Sequence, residues 1–225
     1  MKAKERFEER CRDDGVTCVK YLSDNGTAFT SRSYTEMLAK FHQITHFAGV
    51  GAHHSNGKAE RAIRTILTVA RTMMLHAAVH WPETADPTLW PMAVQHAVNL
   101  HNHVPDEVSG LCPVDLFTGT RWPQRKLHDF HVWGCPTYVL NKSLGDGKKI
   151  PKWAPRSERC VYMGQSPVHS SSVPLVLRLS TGAITPQFHI VFDDWFATIS
   201  TSPDELPDFN NDAWKRMHCL SAPLL

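Results

Sequence analysis

The sequence predicts an α/β protein in which a mixed strand-and-helix part leads through further helices into a small all-β unit. Three observations carry this prediction. Short β-branched and aromatic runs alternate with helix-forming tracts near the N-terminus, apolar residues recur at helical spacing from residue 57, and from residue 129 short apolar runs are separated by Gly, Pro and Ser clusters.

The elements follow in order. Residues 1–13 are rich in Glu, Lys and Arg, which favour helix, and Asp13-Asp14-Gly15 stops it. Residues 17–22 read as a short strand running into Ser23-Asp24-Asn25-Gly26, a cluster of turn formers. A helix fits 33–42, a strand 44–47 and a glycine-containing loop 49–57. Ala59, Ile63, Ile66, Leu67, Ala70, Met73, Met74 and Ala77 then mark a helix of about twenty residues ending before Trp81-Pro82. A further helix spans roughly 88–103, with Trp90, Ala93, Ala97 and Leu100 on one stripe, and Pro105 ends it. The runs at 132–139, 160–163, 175–179 and 189–192 predict a five- or six-strand barrel. From about residue 200 the chain is polar and turn-rich and is expected to be poorly ordered. The expected organisation is therefore 1–80, 81–128, 129–198 and a tail at 199–225, without internal repeats.

Composition is ordinary for a globular protein, at 42% hydrophobic and 20% charged residues. No run approaches the ~20 continuous apolar residues that cross a bilayer, and the N-terminus is charged rather than signal-like, so a soluble, unsecreted protein is expected. The net charge of +2 is too small to announce a nucleic-acid binder, so any such role must rest on local placement of charge. The six cysteines are scattered, without a C-x-x-C pair or zinc-finger spacing, and read as reduced thiols. His53-His54 is the one adjacent histidine pair, and neighbouring side chains point apart, which disfavours a shared metal.

Two acids draw the argument toward chemistry. Asp24 closes a strand and opens a turn, and Glu60 lies in the first turn of the long helix, with thirty-five residues between them. Such a pair can converge on a hard cation such as Mg²⁺, which prefers oxygen ligands. On these two residues alone, an exposed turn Asp and a Glu favoured by the helix dipole are the better account. In an ideal helix Arg64 and Arg71 fall within about 40° of Glu60, with Arg61 further round and Lys58 at the edge. That face suits phosphate contact, while a simple Glu60–Arg64 pair explains it as well. Lys142, Lys148, Lys149 and Lys152 form a second candidate phosphate patch against the reading of an ordinary exposed loop, and Arg12, Lys20 and Lys40 read as solvated surface.

The motifs go further. Tyr21-Leu22-Ser23-Asp24-Asn25-Gly26-Thr27-Ala28-Phe29 resembles the SDNG-x-x-F segment around the second catalytic Asp of copia-type retrotransposon integrases. Ser55-Asn56-Gly57-Lys58-Ala59-Glu60-Arg61-Ala62-Ile63-Arg64-Thr65 resembles the helix carrying their third catalytic residue, a Glu. Leu89-Trp90, Pro113 to Gly119, Phe130 to Cys135, Pro155 to Gly164 and Thr181 to Asp194 are similar to the later blocks of the same family, in collinear order. The resemblance implies a truncated ribonuclease-H-like integrase core over 1–80, a helical post-core linker over 81–128 and an SH3-like barrel over 129–198.

It also implies a function: DNA integration by Mg²⁺- or Mn²⁺-dependent phosphoryl transfer, with Asp24 and Glu60 as catalytic metal ligands. Lys58, Arg61, Arg64 and Arg71 would contact DNA, the partners would be retroelement cDNA ends, target DNA and a second copy of the chain, and the integrating complex would work in the nucleus. Three departures qualify this. Only 23 residues precede Asp24, so the family's first catalytic Asp has no counterpart, Asp13 and Asp14 being too near. Gly49 to His54 stands where the family has a proline-containing loop, and Ile63 where it favours Asn. The expectation is weak metal binding and no strand transfer by this chain alone, with nucleic-acid binding retained. The alternative is a non-catalytic nucleic-acid or protein binding module derived from a transposon; a ribonuclease-H-type nuclease fits the residues after Glu60 poorly.

Overall fold

The structure is a computed structural model that describes residues 2–47, 57–120, 129–169, 173–200 and 206–219. The loop expected at 49–57 and the pair His53-His54 therefore lie almost wholly outside the described residues. The chain divides into two compact units, Met1–Arg64 with Pro105–Pro123, and Thr65–Val104 with Gln124–Leu225. These divisions cut across the expected organisation, which kept all of 1–80 together and set 81–128 apart as a linker.

In the first unit, α1 (Lys2–Asp13) is followed by β1 (Lys20–Ser23), α2 (Thr27–Thr30), α3 (Arg32–Lys40) and β2 (Ile44–Phe47). The two strands pair in parallel, Lys20 opposite Ile44 and Ser23 opposite Phe47. Parallel neighbours need a crossover, and α2 and α3 supply it. Burial here is thin: Cys11, Met37 and Leu38 are buried, whereas Leu22 and Ile44 are about half exposed, at 59% and 48%. A polar knot does part of the holding. Glu8 is buried at 6% exposure and accepts hydrogen bonds from Lys4, Tyr21 and Gln43. Gln43 in turn donates to the Cys18 carbonyl at 3.0 Å and accepts from Lys4 at 2.7 Å, tying α1 to both strands' approaches. The later α6 (Pro113–Thr118) starts on a proline, where a missing N–H costs nothing, and Asp115 accepts from the Cys112 N–H at 3.0 Å. Gly119, with φ of 67°, ends it in the left-handed conformation.

The long helix α4 (Gly57–His80) was legible from its periodicity, and its burial corrects one detail. Ala70, Met74, Ala77 and Ala78 are buried, but Ala59 and Ile63, expected on the same apolar stripe, are exposed, Ile63 at 56%. The first fully buried residue of the helix is Ala70, so the stripe is buried later along the helix than its periodicity implies. A second correction concerns membranes. By length and composition alone α4 is apolar enough to cross a bilayer, a property that a search for uninterrupted apolar runs misses because Arg64 and Arg71 break the run. Helices of protein cores share that property.

In the second unit, the 3₁₀ turns Pro82–Thr84 and Pro87–Leu89 lead into α5 (Trp90–His103). Asp86 accepts from the Thr88 N–H at 2.8 Å and so caps the second turn. Ala93 and Ala97 are fully buried, whereas Trp90, expected on their stripe, is 41% exposed at the helix start. Strands β3 (Pro136–Leu140), β4 (Ser157–Gln165), β5 (Pro174–Arg178), β6 (Ile184–Pro186) and β7 (Ile190–Phe192) form an antiparallel sheet in the order β6-β5-β4-β3-β7. The short α7 (Lys142–Gly145) sits between β3 and β4. Five strands agree with the expected number, but no β6–β7 pairing closes a barrel among the described residues.

β4 is central and buried on both faces, which is why it reads as a continuous apolar run rather than an alternation. Cys160 clusters with Val139, Val176 and Ile190, while Val161 and Met163 join the alanines of α4 and α5, Trp81 and Trp133. Between residues 162 and 164 the β4–β5 register shifts in a bulge, with Gly164 at φ 107°. A Cβ on Gly164 would stand 3.3 Å from the His96 ring, so the glycine admits the histidine of α5. The tail expected to be poorly ordered contains helix α8 (Asp212–Cys219), and Trp214 is buried at 3% exposure in the same core, edge-to-face on Phe209. One large aromatic is enough to fix a polar segment that composition reads as loose.

Candidate functional site

Asp24 stands immediately after β1, where the chain turns into α2. Its Oδ1 accepts the Gly26 N–H at 3.1 Å, an Asx turn that leaves the second carboxylate oxygen facing solvent. A Cβ on Gly26 would come within 3.0 Å of that same Oδ1, so the glycine keeps the acid's place clear. The preceding Ser23 is buried at 8% exposure, the one buried position of β1, so the chain passes from covered to solvent-facing at Asp24.

Glu60 projects from the first turn of α4 and is exposed, as are Lys58, Arg61 and Arg64. Arg71, two turns further on, is half-buried and engaged in an interaction of its own. Lys58, Arg61 and Arg64, all exposed and within about a turn of Glu60, give the start of the helix cationic chemistry that suits phosphate oxygens. Both acids belong to the first unit. Their oxygen donors have the chemistry of a hard-cation site, yet among the described residues no group of three His, Cys, Asp or Glu side chains comes together to hold a metal.

A second polar cluster escaped sequence reasoning. In the second unit Asp194 accepts from His131 Nδ1–H at 2.9 Å, from the Val132 N–H at 2.8 Å and from the Cys135 thiol at 3.7 Å. His131 stacks on Phe192 with ring centroids 3.5 Å apart, and Tyr162 meets both edge-on. Burial, reinforced by the Asp194 charge, pushes the Cys135 thiol far above its ordinary range, and burial does the same to the Tyr162 phenol. Neither can supply an anion near neutrality, so the cluster is a structural clasp rather than a nucleophilic site. Its partners lie some sixty residues apart, and no local pattern signals them.

Three known proteins are similar to the chain in sequence. The chain is 31% identical over 183 residues, 80% of its length, to the retrovirus-related Pol polyprotein from transposon RE2 of Arabidopsis thaliana. It is 30% identical over 176 residues to the corresponding polyprotein from transposon RE1 of the same plant, and 29% identical over 161 residues to that from transposon TNT 1-94 of Nicotiana tabacum. The chain is homologous to part of the copia-type Pol polyproteins. It spans about 11% of the length of each of these three relatives. No family model matches it. Among solved structures it is similar to a chain of the simian T-cell lymphotropic virus intasome in complex with PP2A regulatory subunit B56 gamma. That likeness has 14% identity and a TM-score of 0.36 and covers 84% of this chain and 61% of the other. Kinship with the copia-type polyproteins thus rests on sequence.

Proposed function

We propose that this copia-type Pol segment is part of a retrotransposon integrase and supplies Asp24 and Glu60 to a divalent-metal site for DNA strand transfer. The observation that carries this reading is the 31% identity over 183 residues of the chain, taken together with the Ser23-Asp24-Asn25-Gly26 and Asn56-Gly57-Lys58-Ala59-Glu60-Arg61 motifs that hold the two acids. In this reading β1, α2, α3, β2 and the start of α4 are the remaining portion of a ribonuclease-H-like core. The five-stranded sheet is the SH3-like element that follows it.

Asp24 and Glu60 would hold Mg²⁺ or Mn²⁺, and among the described residues no third ligand joins them. Bound metal supplies activation of the attacking oxygen and charge neutralisation at the leaving oxygen. The chain's own residues do the rest. Gly26 N–H orients the Asp24 carboxylate, and Lys58, Arg61, Arg64 and Arg71 draw the phosphate backbone of cDNA ends and target DNA toward Glu60. Because these contacts are to phosphate, binding should be salt-sensitive and weakly sequence-dependent.

A strand-transfer assay with labelled duplex ends tests the reading. The chain alone is expected to be inactive. Supplemented with the preceding part of a related polyprotein, it should gain Mn²⁺-dependent joining that Asp24→Asn or Glu60→Gln abolishes. Joining that ignores both substitutions would overturn the assignment. One observation favours a second reading, a binding module without metal chemistry: the described residues bring no third ligand to the acids. Under that reading both variants bind DNA like the parent and no reconstitution yields joining.

A further inference from the structure

One end of the five-stranded sheet concentrates the chain's positive charge. Residues 141–156, which connect β3 to β4, carry Lys142, Lys148, Lys149, Lys152 and Arg156 against a single carboxylate, Asp146. All six are exposed. The whole chain has a net charge of only +2, so everything outside this connection is net negative. Among the described residues none of the five cations is held in an ion pair.

The same connection carries Trp153 at 90% exposure, with the Lys152 ammonium 5.4 Å from its ring centroid. A tryptophan this exposed beside a run of lysines offers an open aromatic face next to positive charge. A second aromatic lies at the same end. The Leu140 N–H donates to the His189 carbonyl at 3.0 Å, and the next N–H, Asn141, donates to the Arg156 carbonyl at 2.8 Å. Consecutive residues at the end of β3 therefore hold the β6–β7 turn, with Phe188 at 66% exposure, beside the close of the basic connection.

We propose that this end of the sheet binds single-stranded nucleic acid, the lysines and Arg156 contacting phosphates and Trp153 stacking on an unpaired base. Cations alone would accept any polyanion. The exposed ring selects the single strand, because base faces in a duplex are already stacked on one another, whereas an unpaired base offers a free π-face. The site uses neither Asp24 nor Glu60 and lies apart in sequence from the cationic face of α4, so it stands or falls separately from the metal reading.

Fluorescence anisotropy on the full chain tests it, with labelled oligothymidine and oligouridine of about 12 nucleotides and a duplex of equal length. The single strands should bind more tightly than the duplex. Trp153→Ala should weaken single-strand binding by about 5- to 100-fold and leave duplex binding unchanged, and Trp153→Phe should recover most of the loss. Lys148→Glu with Lys149→Glu should weaken every nucleic acid and flatten the salt dependence. Equal binding of the two single strands assigns the site to chemistry shared by DNA and RNA, and a preference names the source. Arg61→Ala with Arg64→Ala, on α4, should weaken duplex and single strands alike and leave their ratio unchanged, whereas Trp153→Ala should change that ratio, which separates this site from the proposed DNA face. Duplex binding tighter than single-strand binding would overturn the proposal. So would a Trp153→Ala chain that is folded and binds oligothymidine like the parent, or equal capture of heparin and oligothymidine.

Discussion

Asp194 and His131 meet through a 2.9 Å hydrogen bond across sixty-three positions of sequence, and the second Asp194 oxygen accepts the Val132 N–H at 2.8 Å. One carboxylate thereby fastens the end of β7 to the segment that enters β3. Hydrogen bonds to charged groups contribute about 1.5–3 kcal/mol each, discounted here because Asp194 is about one-third exposed. Asp194→Ala should lower the unfolding free energy of the sheet unit by about 2 kcal/mol in urea titration, and Asp194→Asn by roughly half as much. Identical midpoints for parent and Asp194→Ala would show that the clasp contributes nothing.

Gly134 should not tolerate a side chain. Its φ is 80°, and a Cβ there would lie 2.5 Å from the Ala77 Cβ on α4. Left-handed strain and overpacking together predict a loss of about 2–4 kcal/mol for Gly134→Ala. Adding Ala77→Gly removes the clash but not the strain, so the double variant should regain part of the loss. A double variant no better than the sum of the singles in thermal unfolding would place the cost in the backbone alone.

His96 makes the sheet unit acid-sensitive. Burial pushes its imidazole down to about 4, only partly offset by the hydrogen bond to the His131 backbone, and the His131 ring opposes charging as well. A folded value below the ordinary 6.5 means that the unfolded chain binds the proton more readily. Stability is fully present above about 6.5 and drains away as pH falls toward about 4, by an amount on the order of 3 kcal/mol. His96→Gln should flatten the melting temperature across that window, and a parent profile that is already flat there would contradict the assignment.

Cys11 and Cys18 sit with their sulfurs 3.6 Å apart, close enough to be joined by oxidation. Burial, with the neighbouring Cys18, raises the Cys11 thiol to about 11, so the more exposed Cys18 should react first. With hydrogen peroxide the two thiols lose their hydrogens as a disulfide forms and two waters leave. Peptide mass mapping should find this link and lose it in Cys18→Ser. Oxidised chain in which both cysteines still alkylate would refute the pairing.

Strong local periodicity was legible in the sequence, and long-range pairing was not. The repeat from Ala59 to Ala77 announced α4, and the β-branched run 44–47 announced β2, because both depend on spacing along the chain. Periodicity could not say where the stripe is covered, so Ala59 and Ile63 looked buried and are exposed. Trp214 was lost in a polar tail because a single aromatic leaves no repeat to read. Asp24 and Glu60 were visible through motif and not through any contact, whereas the pairing of His131 with Asp194 lies between two separate blocks, and no spacing along the chain announces it.

The two-stranded sheet has a consequence in time. A backbone amide exchanges its hydrogen with solvent when its surroundings open, and the opening free energy follows local burial. β1 and β2 have one buried residue between them, Ser23, whereas the stretch 160–164 of β4 is buried at every position. In heavy water the first pair should lose its protons within the earliest time points while the centre of β4 holds them until the whole sheet opens. The chain would then keep two clocks, a fast one beside Asp24 and a slow one beneath α5.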